Sequence, residues 1–121
     1  NFYLPHIGSV IIGNRVWIGA LNSIASGTID PTIIEDDVMT DDQVHIAHNA
    51  IIKSNTIIAA STEISGSTIV GKNSRIGPGN SVMNGISIGN ETITGIGAAV
   101  TKSHPDRVVL AGVPARIVNR L

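Results

Sequence analysis

The sequence predicts an all-β fold in which a narrow parallel coil is wound from six-residue units, and three observations carry that prediction. Aliphatic residues or threonine recur every sixth position without a slip: Ile34, Thr40, Ile46, Ile52, Ile58, Ile64, Val70, Ile76, Val82, Ile88, Thr94 and Val100. Two positions before these markers runs a second column of mostly small or β-branched residues, among them Val38, Val44, Ala50, Thr56, Thr62, Thr68, Ser74, Thr92 and Ala98. The position after a marker is often glycine or another small residue, as at Ala47, Ala59, Ser65, Gly71, Gly77, Gly89 and Gly95. A single strand alternates with period two and an amphipathic helix with 3.6, so neither explains a period of six.

If each unit supplies one short strand and one turn, three units close a triangular coil and successive coils stack about 4.8 Å apart. Markers eighteen residues apart then form three inward ladders. Ile34, Ile52, Val70 and Ile88 make one; Thr40, Ile58, Ile76 and Thr94 the next; Ile46, Ile64, Val82 and Val100 the last. The corners carry residues that tolerate tight or left-handed backbone, including Asn49, Asn55, Asn73, Gly79, Gly85 and Gly97.

Composition agrees with a layered core. Aromatic residues are 2% while hydrophobic residues reach 42%, which suits thin identical layers of Ile and Val better than a two-layer core rich in Leu and Phe. A net charge of -1 without runs of one sign gives no basis for a nucleic-acid partner. No cysteine is present, so disulfides and thiolate chemistry are excluded. Polar residues or glycine break every apolar run, so no membrane span is predicted, and no signal peptide is read. The chain begins at Asn1 rather than Met, which points to a fragment or processed product and leaves room for an upstream domain.

In order, residues 1–5 read as a lead-in whose Phe2 and Tyr3 plug an open end of the core or bury against a partner. The coil is expected over residues 6–103, with early markers His6, Ile12, Ile18 and Ile24, and a loop at residues 30–33 where four extra residues around Asp30-Pro31 break the count. The tail, 104–121, reads as a polar turn, a short strand at Val108–Leu110 and a short helix after Pro114 that caps the last coil with Ile117, Val118 and Leu121 on its apolar side.

The block Asp41–Asn49 is the most polar within the repeat and holds His45 and His48. On a coil these two histidines need not converge, so zinc between them is poorly supported, and a surface or packing role is the plain reading of each. The functional reading makes His48 a general base whose tautomer is held by Asp41 or Asp42.

The aliphatic-Gly-x-x-x-x pattern resembles the hexapeptide-repeat family, which implies a left-handed parallel β-helix and a homotrimer with active sites between subunits. IAHN at residues 46–49, with DDQV before it and SNTIIAASTEISGSTIVG at 54–71, resembles the UDP-acyl-glucosamine N-acyltransferases of lipid A synthesis. That resemblance implies His48 as catalytic base, Asp41 touching the amino sugar or orienting the base, and Asp42, His45 and Asn49 around the substrate. In that family a second functional histidine follows Asn-Gly, whereas this chain has Ile86 after Asn84-Gly85, which argues against a long hydroxyacyl chain carried by a protein donor. The ending VLAGVPARIV, residues 109–118, resembles small acetyl-CoA-dependent acetyltransferases that modify nucleotide-linked amino sugars. It implies acetyl-CoA as donor, with Gly77 and Gly95 along the pantetheine arm and Lys102 and Arg116 at the phosphates.

The expected function is therefore acetyl-CoA-dependent N-acetylation of a nucleotide-linked amino sugar for surface polysaccharide. His48 takes the amine proton, and a backbone N–H near Gly66 holds the oxyanion; no metal is required, and the cytoplasm is the expected compartment. The alternatives are a long-chain N-acyltransferase of lipid A type using an acyl carrier protein, a sugar or serine O-acetyltransferase, a γ-type carbonic anhydrase with three histidines, and a scaffold without catalysis.

Overall fold

The computed structural model describes residues 4–121, so the expected plug, Phe2 and Tyr3, lies outside the described residues. The described chain has seventeen strands, numbered in chain order, and winds as a left-handed parallel β-helix of three faces. The first face holds β1 (Val10–Ile12), β4 (Thr32–Ile34), β7 (Ile51–Ile52), β10 (Ile69–Val70) and β13 (Ser87–Ile88). The second holds β2 (Trp17–Ile18), β5 (Met39–Thr40), β8 (Ile57–Ile58), β11 (Arg75–Ile76), β14 (Ile93–Thr94), β16 (Val108–Ala111) and β17 (Arg116–Arg120). The third holds β3 (Ser23–Ile24), β6 (His45–Ile46), β9 (Glu63–Ile64), β12 (Ser81–Val82) and β15 (Ala99–Val100).

The three ladders form as the period requires. Ile34 pairs with Ile52, Thr40 with Ile58 and Ile46 with Ile64, each one coil on. Ile34, Ile46, Ile52, Ile58, Ile64 and Val70 are completely buried. Each such side chain contributes about 1.5–3 kcal/mol relative to exposure, so the stack of thin layers replaces a thick core. The second column is buried too, and its hydroxyls are satisfied by the coil above: Thr56 Oγ1 donates to Gly71 O at 2.7 Å and Thr62 Oγ1 to Gly77 O at 2.9 Å. Corner residues from Asp37 through Asn49 and Asn55 to Gly97 adopt left-handed φ values between 53° and 75°. Asparagine and glycine are favoured there for that reason.

Outward residues differ from face to face. The first face shows Ile11, Ile33, Ile51, Ile69 and Ser87, the second Trp17, Met39, Ile57, Arg75 and Ile93, and the third Ser23, His45, Glu63, Ser81 and Ala99. Two adjacent outer walls are thus mostly apolar, interrupted by Arg75 on the second and Ser87 on the first, and the third is mostly polar.

The insertion is where the count slips. Ile12 pairs with Ile34, four residues further on than the one-coil spacing of Ile34 and Ile52. The extra residues lie in the loop 25–31, and Thr32 and Ile33, expected in the loop, belong to β4.

The C-terminal helix is absent. Residues Arg116–Arg120 form β17, antiparallel to β16, with Leu110 opposite Ile117 and Ala111 opposite Arg116. The cause is the free edge of β16, which pairs in parallel with β14 and leaves its other side open. Gly112, at φ 97°, opens a turn through Val113 and Pro114 that folds the next residues onto that edge. Two β-branched residues, Ile117 and Val118, then suit a strand better than two helical turns. The coil also runs further than expected: His104 bridges Ile88 and is only 8% exposed, so it occupies a ladder position within the expected polar turn. No helix of the described residues is long and apolar enough to cross a membrane.

Candidate functional site

The corner that follows β6 carries the candidate base, His48. Ile46 points inward as a ladder residue, and two positions later the chain turns with His48 on the outside and Asn49 at left-handed φ. Asn49 fastens this corner to the inserted loop. Its Nδ2 donates to Asp30 O at 2.9 Å, its Oδ1 accepts from Thr28 N–H and from the Thr28 hydroxyl at 3.1 Å each, and its N–H donates to Thr32 Oγ1 at 2.8 Å.

These bonds decide the chemistry of His48. The same Asn49 Oδ1 lies 3.2 Å from His48 Nδ1, and an amide oxygen only accepts, so Nδ1 carries the proton and donates. The Nε2 lone pair is then free to act as a base. That nitrogen hangs over Gly66 in the next coil, where a Cβ would lie 2.5 Å from Nε2 and 2.6 Å from Cε1. Only glycine leaves room there for the ring. The His6 ring meets His48 edge to face, with centroids 5.8 Å apart and planes at 75°.

The partner of His48 is therefore Asn49 rather than the two acidic residues. Asp41 Oδ1 accepts the N–H of Asp42, and Asp42 Oδ1 accepts the N–H of Ala20, both at 2.8 Å. They sit on the corner after β5, a different edge of the prism. His45 lies on the outer side of β6 between Ser23 and Glu63. No group of three or more His, Cys, Asp or Glu side chains among the described residues is gathered as a metal centre needs.

The remaining candidates divide between the same two edges. Pairing of Ile46 with Ile64, Ile64 with Val82 and Val82 with Val100 puts His48, Gly66, Asn84 and Lys102 in one column, each two positions past its ladder residue. Three coil spacings separate His48 from Lys102, roughly 14 Å. Lys102, Ser103, His104, Pro105, Arg116 and Ile117 line a groove of about 320 Å³ at that end, so the two predicted cations do meet. His104 Nε2 is buried there without a hydrogen-bond partner. Burial, and secondly the Lys102 charge, push its imidazole below the ordinary histidine value. Gly77 and Gly95 stand instead in the column above Asp41 and Ala59, on the other edge. A Cβ on Gly77 would come within 2.6 Å of Thr94 O, so stacking alone demands that glycine, whereas one on Gly95 would meet only an ordinary 3.6 Å contact with Ala111 Cβ.

Sequence reasoning did not foresee three features: Asn49 as the hydrogen-bond partner of His48, His6 against its ring, and His104 in the groove. Adjacency of Asn49 to His48 was the available signal for the first. The other two depend on the insertion and on a shortened last coil.

The family described as bacterial transferase hexapeptide, six repeats, matches residues 31–66, a span that contains His48. The UDP-3-O-acylglucosamine N-acyltransferase of Saccharophagus degradans is 54% identical over 46 residues, 38% of this chain and 14% of that protein. Among solved structures, the acetyltransferase domain of PglB from Neisseria gonorrhoeae, in complex with acetyl coenzyme A, superposes with a TM-score of 0.85 at 25% identity over 92% of this chain and 54% of that one. The Arabidopsis UDP-N-acetylglucosamine acyltransferase gives 0.89 at 27% identity over 93% and 40%. The chain thus spans about one seventh of that curated relative and about half or less of the solved ones.

Proposed function

We propose that this chain is a hexapeptide-repeat left-handed β-helix acyltransferase, similar to the UDP-acyl-glucosamine N-acyltransferases and acetyltransferases, and that it moves an acyl group from a thioester to the amine of a nucleotide-linked amino sugar. The observation that carries the reading is the His48 corner, with Nδ1 committed to Asn49 and Nε2 set against Gly66. The amine attacks the thioester carbonyl, a C–N bond forms and the C–S bond breaks. His48 Nε2 takes the amine proton and returns it to the departing thiolate, while the Gly66 N–H faces the oxyanion. Orientation of two bound reactants supplies much of the rate.

The assembly in this reading is a homotrimer. Two adjacent, mostly apolar walls call for cover, and a threefold arrangement that turns the first face of one subunit toward the second face of its neighbour covers both. His48, Gly66, Asn84 and Lys102 then line one lip of a cleft, and the neighbour's Asp41, Gly77 and Gly95 line the other. Neither edge is a complete site alone.

Of the donors considered, a long acyl chain on a carrier protein is favoured over acetyl-CoA. The curated relatives are by name N-acyltransferases acting on UDP-acylglucosamines, one of them on a 3-hydroxymyristoyl glucosamine, and the aliphatic Ile33, Ile51 and Ile69 on the face beside the His48 edge suit a hydrocarbon chain. Acetyl-CoA remains the second reading, supported by the Lys102–Arg116 groove and by the PglB domain that holds it. Both donors present the same phosphopantetheine arm along the His48–Lys102 edge. Thiol release with hydroxyacyl carrier protein and with acetyl-CoA, each against a panel of UDP-, GDP- and dTDP-linked amino sugars, tests this. Faster release with the carrier protein is expected, a preference for acetyl-CoA selects the second reading, and no release with any amine acceptor overturns both.

A further inference from the structure

We propose that His6 is a positioning residue for His48 and that the four-residue insertion exists to hold it there. The proposal rests on the reading of His48 as the base. A one-coil spacing leaves the chain before β1 no reason to approach the corner after β6, two coils above it. The loop 25–31 changes that. Ile7 N–H donates to Thr28 O at 2.8 Å, and Thr28 in turn gives its own N–H and its hydroxyl to Asn49 Oδ1 at 3.1 Å each. Asn49 Oδ1 is also the acceptor of His48 Nδ1. A continuous path therefore runs from the backbone beside His6, through the inserted loop, to the imidazole of His48.

The two rings close that path into a circuit through their edge-to-face contact at 5.8 Å. His48 is exposed, so little else restrains its rotation about the Cβ–Cγ bond. Gly66 bounds the ring from the coil above, and the His6 ring bounds it on another side through the edge-to-face contact. Held between them, the ring keeps Nδ1 on Asn49 and Nε2 over Gly66. Without His6 the ring is free to swing out of that plane, and the hydrogen bond that selects the tautomer loosens. The loss falls on orientation and not on substrate affinity, because His6 acts through His48.

The test uses the whole chain with His6→Ala and His6→Phe beside the wild type. Phenylalanine keeps the flat ring and loses the nitrogens. Two readouts are taken: kcat and KM for acyl transfer to the amino-sugar acceptor, and long-range ¹⁵N–¹H spectra that report which nitrogen of His48 is protonated. The expected result for His6→Ala is a roughly tenfold fall in kcat with KM unchanged, and His48 ¹⁵N shifts that move toward averaging of the two tautomers. His6→Phe restores most of both. Unchanged kcat and spectra in His6→Ala overturn the proposal, and so does a His6→Phe variant as impaired as the alanine one, which assigns the effect to the nitrogens of His6. If the wild type transfers no acyl group to any acceptor, the acyl-transfer reading fails separately, and unaltered His48 spectra in His6→Ala then overturn the contact.

Discussion

Two edges of the same prism carry unlike equipment. The edge after the third face holds His48 at one end and Lys102 at the other, with Gly66 and Asn84 between them. The edge after the second face holds Asp41 with Ala59, Gly77 and Gly95 above it, and no base. In the proposed function the first edge acts and the second admits a close neighbour. The difference teaches that a repeat can supply identical corners at no structural cost, so chemistry is assigned by what replaces the small residue at a given corner. In the proposed trimer one subunit is then half a site. A ligand laid along the first edge has one wall, and the second edge of another copy is the available partner for it.

The largest effect expected is on the edge that acts. His48→Ala should lower acyl transfer roughly 100- to 10,000-fold with no change in thermal midpoint, because the side chain is exposed and the ladders beneath it are untouched. Asp41→Asn should cost less, roughly tenfold, and should appear in the acceptor KM if that edge binds the sugar. Equal losses from the two variants, both in kcat, would erase the distinction between the edges. Next, Lys102→Ala combined with Arg116→Ala should raise the donor KM about tenfold and spare kcat, since these cations line a groove three coils from the reacting atoms. A fall in kcat alone would move them into the catalytic step.

The smallest effect is on stability and belongs to the end of the first edge. His104 is buried on the ladder above Ile88, and its folded imidazole titrates below the ordinary value of 6.5 because of burial and then Lys102. The fold accepts the neutral ring, so its contribution is complete above that ordinary value and is lost as pH falls through the lowered one. Thermal midpoints measured from pH 7.5 downward should therefore drop in the wild type and drop less in His104→Leu. Parallel curves for the two proteins would show that His104 does not govern the acid sensitivity.

Much of this was legible in the chain because a period of six is a local signal repeated many times. The ladders, the buried hydroxyl column and the left-handed corners at Asn49, Asn55 and Asn73 all follow from spacing. The tail was not legible. Ile117, Val118 and Leu121 satisfy a short helix and a short strand equally well, and the unpaired edge of β16 chose between them. His48 was legible as the outstanding polar residue of its corner, but its partner was sought among carboxylates. The amide next to it prevailed because Asn49 was already oriented by Thr28 and Asp30. The contact with His6 spans the insertion, and the length of a loop does not reveal where its ends will meet.

The central claim is that each site takes one edge from each of two neighbouring subunits. It is tested most directly by mixing His48→Ala and Asp41→Asn chains, differently tagged, and measuring acyl transfer by the mixed oligomers. Each cleft then draws its two edges at random, and both are intact in one case of four, so activity should recover to about a quarter of the wild type above either parent. Mixed oligomers no more active than the average of their parents would contradict the account.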